Sequence, residues 1–87
     1  MEQLQHLVEY MASGLVDRPE EVQVEARRRG PAVSIHLRVA EDELGRVIGK
    51  GGRIAKAMRT MVGVVAARQG LRANLEIEGC RVRYPQL

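Results

Sequence analysis

The sequence predicts a two-layer α+β sandwich, a three-stranded sheet with helices packed on one face. Three observations predict it. Apolar residues recur at helical spacing in two long segments and alternate with polar ones in three short segments. Each segment has a single apolar side, which it must bury against another layer. At 87 residues, the chain can build one small core.

The first helix rests on Leu4, Leu7, Val8, Met11 and Leu15, which fall on one helical face. Gly14 sits near its end, and Asp17-Arg18-Pro19-Glu20 turns the chain, since Pro19 cannot continue a helix. The period then changes to two. Val22, Val24 and Ala26 alternate with Glu21, Gln23 and Glu25, and Arg27-Arg28-Arg29 leads into a Gly30-Pro31 turn. Val33, Ile35, Leu37 and Val39 form the apolar side of a second strand, with Ser34, His36 and Arg38 on the other. The two strands are expected to pair as an antiparallel hairpin. Glu41-Asp42-Glu43 gives an acidic first turn to a short helix ending near Val47. A long helix follows, with a stripe of Ile54, Met58, Met61 and Val65 widened by Ala57 and Val62. Gly70 stops it near Gln69. Leu75 and Ile77 mark a third strand, expected to end at Gly79. Residues 1–79 thus read as a single domain and residues 80–87 as a short tail.

Between the short and long helices runs Val47-Ile48-Gly49-Lys50-Gly51-Gly52-Arg53-Ile54. A helix starting just after a glycine turn aims unpaired N–H groups and the positive end of its dipole into the space before it. Arg46, Lys50 and Arg53 add side-chain charge, and Val47, Ile48 and Ile54 border the turn with apolar surface. From Gly45 to Val65 every charged residue is basic, with Lys56 and Arg59 completing the set. Arg53, Lys56 and Arg59 project away from the apolar stripe of the long helix. One edge polar and cationic, the other apolar: the combination suits single-stranded nucleic acid.

Composition narrows the choice. The chain has no Phe or Trp and two Tyr, which argues against folds that stack bases on aromatic platforms. The net charge of +3 permits an anionic partner without requiring one. Gly45-Arg46-Val47-Ile48-Gly49-Lys50-Gly51 has too few residues between its glycines for a P-loop and no Ser or Thr after the lysine. A helix precedes the turn, so the dinucleotide fingerprint fails as well. His6, His36 and Cys80 lie apart in the pattern and no carboxylate pair flanks the glycines. The expectation is therefore a non-enzyme with no cofactor and no metal, and His36 as a solvated residue on the outer face of its strand. Cys80 is the only cysteine, and the N-terminus lacks the regions of a signal peptide. No apolar run reaches the length of a membrane span, so no membrane partner and a cytoplasmic location are expected.

The glycine segment resembles the VIGxxGxxI core of KH domains, with Gly49-Lys50-Gly51-Gly52 as the GxxG loop. The α-β-β-α-α-β order resembles the type II, prokaryotic arrangement. The likeness extends to the small bacterial proteins made of one KH domain. Leu15 to Val22, Leu37 to Lys50 and Gly52 to Thr60 are all similar to that family, which covers the chain up to about Glu78.

The resemblance implies binding of single-stranded RNA, about four nucleotides per domain. On it, Gly49 and Gly52 permit the tight turn and close approach, while Lys50 and Gly51 face the phosphates. Arg46, Arg53 and Lys56 supply charge. Val47, Ile48 and Ile54 are expected to floor the groove beneath the bases, opposite the second strand around Ile35 to Val39. The resemblance further implies a role as RNA chaperone or post-transcriptional regulator, linked to cell elongation and cell-wall homeostasis. It also implies self-association and pairing with a larger KH protein of the Jag/EloR (KhpB) type. The alternative is an adaptor subunit whose own contact with RNA or single-stranded DNA is weak; nothing in the loop reads a 2′-OH. Arg27-Arg28-Arg29 is a secondary candidate for RNA contact.

Overall fold

The computed structural model describes residues 2–80. Helix α1 (Glu2–Ser13) leads through a 3₁₀ turn (Pro19–Glu21) into strands β1 (Gln23–Arg29) and β2 (Ala32–Ala40). A second 3₁₀ turn (Glu41–Glu43) opens onto α2 (Leu44–Ile48), and a third (Lys50–Gly52) joins α2 to α3 (Arg53–Arg68). Strand β3 (Arg72–Cys80) closes the fold. The sheet order is β1-β2-β3, with β1 and β2 antiparallel and β2 and β3 parallel. The α2–α3 crossover makes that parallel pairing possible, since a tight turn cannot return a strand in the same direction.

The core forms where the helices meet the sheet. Leu4, Val8 and Ala12 of α1 pack with Val33, Ile35, Leu37 and Val39 of β2, Met58, Val62 and Ala66 of α3, and Val47 and Leu75. The opposite side of the sheet is polar and open. Its rows follow the register: Gln23–Arg38–Glu78, Glu25–His36–Glu76 and Arg27–Ser34–Asn74. Helix side chains reach both edge strands, Gln5 Nε2 donating to the Val24 carbonyl at 3.1 Å and Arg59 Nε to the Leu75 carbonyl at 3.2 Å. Such contacts cover backbone groups that an open edge leaves free. At the end of α3, the Leu71 N–H bonds the Ala66 carbonyl and the Gly70 N–H bonds that of Ala67, a Schellman stop where Gly70 was expected to end the helix.

The two-layer architecture and the element order agree with the sequence reading, and three details differ. Helix α3 buries Ala55, Met58, Val62 and Ala66, so the stripe is rotated and Ala57 and Met61 face out. Strand β3 runs past Gly79 to Cys80. A Cβ on Gly79 would lie 3.2–3.4 Å from Glu41, so the missing side chain admits the turn that precedes α2. The remainder of the expected tail, residues 81–87, lies outside the described residues.

Candidate nucleic-acid interface

The glycine turn is built on one close contact. Gly49 has φ 77° and ψ 173°, a region open essentially to glycine alone. A Cβ there would sit 2.6 Å from Ile54 Cγ1, inside contact distance. Ile54, the second residue of α3, therefore packs directly beneath the turn. The Gly49 N–H closes α2 on the Gly45 carbonyl at 2.9 Å, and the Gly52 N–H returns to the Gly49 carbonyl at 3.1 Å. Gly51, at φ 66° and ψ 19°, has open space around it. No side chain caps α3; the Arg53 N–H is taken by the Lys50 carbonyl, and the positive end of the helix faces the turn.

Charge around the turn is arranged unevenly. Lys50, Arg53 and Lys56 are exposed and take part in none of the ion pairs among the described residues. Arg46 is also exposed, but its Nη1 lies 2.9 Å from Asp17 Oδ1, so the fold sets a carboxylate beside the expected cationic patch. Arg59 turns to the β3 edge.

The apolar residues expected to floor a groove divide. Ile48 and Ile54 are half-buried at the flanks of the turn, whereas Val47 is fully buried and supports the turn from within the core. The expectation that β2 forms the opposite wall is corrected. Ile35, Leu37 and Val39 have no exposure, because the helix layer covers that face. The apolar groove beside the turn instead runs between the end of α1 and the start of α3. It measures about 390 Å³ and is lined by Met11, Leu15, Arg53, Ile54, Ala57, Met58 and Met61.

The anchoring of α2 was not visible in the sequence. Glu43 is 4% exposed, and its carboxylate accepts the Asp17 backbone N–H and, at 3.2 Å, Arg18 Nε. Arg18 also pairs with Glu21 at 3.0 Å and with Asp42. The Asp17 N–H, seconded by the Arg18 guanidinium, holds the Glu43 carboxyl below the ordinary carboxylate value, against burial, which pushes it up. The Glu43 carboxylate, joined by Asp42 and Glu21, raises Arg18 in turn, against burial. This network fixes the segment after α1 to the start of α2, one helix away from the glycine turn. His36 likewise departs from expectation: it is half-buried, with Nδ1 3.4 Å from Glu76 and 3.6 Å from Glu78. The sequence alternation did place all three on the polar side of their strands; only the register brings them together. Arg27, in the secondary candidate patch, pairs with Glu25 at 3.1 Å, and Arg28 donates to the Gly30 carbonyl.

Comparison with known proteins accords with this geometry. A family model described as the KhpA/KhpB KH domain matches residues 5–77, which include the whole turn. The chain is similar to the RNA-binding protein KhpA of Halalkalibacterium halodurans, 45% identical over 71 residues covering 82% of this chain and 93% of that protein. RNA-binding protein KhpA of Streptomyces coelicolor is 45% identical over 72 residues, 83% of this chain and 90% of that one. The Clostridium acetobutylicum protein of the same name is 42% identical over 74 residues, 85% and 99% of the two chains.

Proposed function

This chain belongs to the KhpA/KhpB KH-domain family, and from that premise we propose that it binds single-stranded RNA through the Gly49–Gly52 turn. The observation that carries the reading is the seat of Gly49 on Ile54. It lets a phosphate backbone approach the positive N-terminal end of α3 with no side chain between. Lys50 and Gly51 face the phosphates, Arg46, Arg53 and Lys56 add charge, and Ile48 and Ile54 offer apolar surface to the bases. Gly52 ends the turn at φ 76° and starts the helix. Val47 acts from beneath. The proposed role is a non-enzymatic RNA chaperone or post-transcriptional regulator of the cytoplasm, serving cell elongation and cell-wall homeostasis as the family resemblance implies. Among the described residues no helix is long and apolar enough to cross a membrane.

A second reading, as a pairing subunit, has its own support. Met61, which lines the apolar groove, and Val64, one turn further along α3, are 49% and 53% exposed. Large apolar side chains on a small domain favour a protein partner. A second copy of the chain, or a KhpB (Jag/EloR)-like KH protein, would cover them and bring a second RNA-binding surface alongside the first.

The test is a fluorescence-anisotropy titration of labelled single-stranded RNA against wild type and Lys50→Asp/Gly51→Asp. Asp tolerates the left-handed conformation of residue 51 at a cost of about 1–2 kcal/mol, so the double variant should still fold. Wild type should bind, with log K falling against log salt at about −0.7 per phosphate contacted. The variant should lose binding while keeping its helical circular dichroism. Equal binding by both would remove the turn from the interface. If neither binds alone but a complex with a KH partner does, the pairing reading holds.

A further inference from the structure

The open side of the sheet carries a cluster that RNA binding leaves unused. Register sets His36 on β2 beside Glu76 on β3, with Glu78 two residues further along the same side. His36 Nδ1 lies 3.4 Å from Glu76 Oε2 and 3.6 Å from Glu78 Oε1. One donor atom from each of the three falls within 4.8 Å of the others. The two distances from His36 suit donors around one cation. With metal–ligand bonds of ~2.0–2.1 Å, two donors on a tetrahedral centre stand roughly 3.3–3.4 Å apart.

The surroundings support the same reading. Glu78 divides its oxygens: Oε2 lies 3.5 Å from Arg38 Nε, leaving Oε1 turned to His36. An outer partner of this kind orients a ligating carboxylate. On the other side of His36, its β1 neighbour Glu25 is held by Arg27 at 3.1 Å. The three donors stand on adjacent paired strands, so folding has already assembled them. The imidazole is 32% exposed and the carboxylates of Glu76 and Glu78 53% and 45%, a floor and a rim with water available on the open side.

An imidazole nitrogen facing two carboxylate oxygens is matched either by its own N–H or by a metal ion bound between them. One nitrogen with two oxygens suits a borderline divalent ion better than magnesium or calcium, which favour oxygen donors throughout. We infer that His36, Glu76 and Glu78 form a surface site for a borderline divalent cation of the zinc type, on the side of the sheet away from the helices. The bound ion cross-links β2 to β3 and is independent of the glycine turn.

The experiment is an isothermal titration of zinc chloride into the full chain carrying Cys80→Ser, which removes the competing thiol. The same titration is made after adding His36→Ala or Glu76→Gln. One saturable zinc per chain is expected, weakened at least tenfold by either change. Of the two histidines in the sequence, His36 and not His6 should show shifted ring resonances on zinc addition. Lys50→Asp/Gly51→Asp should bind zinc like wild type, so the fate of the RNA reading leaves this one unaffected. Absence of saturable binding, or binding that survives His36→Ala unchanged, overturns the site.

Discussion

Glu43 carries a charge into the covered start of α2, and the Asp17 N–H and Arg18 make that placement tolerable. The sign of its pH dependence follows. Its carboxyl is held below the ordinary value of 4.5 in the folded chain, so the unfolded chain takes up the proton first. Stability from these contacts is complete above about pH 4.5 and fades as pH falls through the lowered folded value. Glu43→Gln should therefore lower the urea midpoint at neutral pH and flatten its fall on acidification. Parallel acid limbs for the two proteins would contradict the assignment. In the sequence Glu43 was read only as a first-turn charge. Its partners are 25 and 26 residues away in the chain, a distance that no local pattern spans. Gly49 was different: the VIGxxGxxI spacing already named it, although the reason, contact with Ile54, needed coordinates.

Among the elements, α3 shows how far periodicity reaches. Its existence and its end at Gly70 follow from spacing and a helix stop. Its rotation does not. Apolar residues sit at 54, 55, 57, 58, 61, 62, 64, 65, 66 and 67, so more than one face could have been the buried one. Ala55 and Ala66 settle inward, where small side chains let the helix lie close, and Met61 and Val64 turn outward. The expected consequence is a split between two methionines. Met58→Ala should cost about 2–5 kcal/mol, the range for a buried Met truncation. Met61→Ala, measured by urea unfolding of the dilute protein, should stay within about 0.5 kcal/mol. Equal losses would return α3 to the orientation that the sequence stripe suggested.

For the molecule as a whole, affinity is the limiting quantity. Non-specific electrostatic contact with nucleic acid gives Kd values of ~10⁻⁴–10⁻⁶ M at physiological salt. One short groove without stacking aromatics has little with which to exceed that, and the Asp17–Arg46 pair lowers the available charge further. Two linked domains raise the effective concentration and so the avidity. The exposed apolar side of α3 is where such pairing is expected. Met61→Lys should shift the sedimentation coefficient to that of a monomer. It should also weaken binding to a long single strand at least tenfold while leaving a four-nucleotide strand unaffected. A wild-type chain that sediments as a monomer and binds the long strand as tightly as the variant would refute the avidity account.

The sequence by itself determined the element order, the two-layer architecture and the glycine turn with its basic flank. All of these depend on near neighbours: spacing along one helix face, alternation along one strand, and glycines within a few residues of one another. Only the tertiary structure decided which side of α3 is buried, that Val47 and the apolar side of β2 are closed to any ligand, and that Asp17 stands against Arg46. It alone joined His36 to Glu76 and Glu78. Those facts depend on register and on the packing of elements distant in the chain, where burial, charge pairing and close approach are settled together.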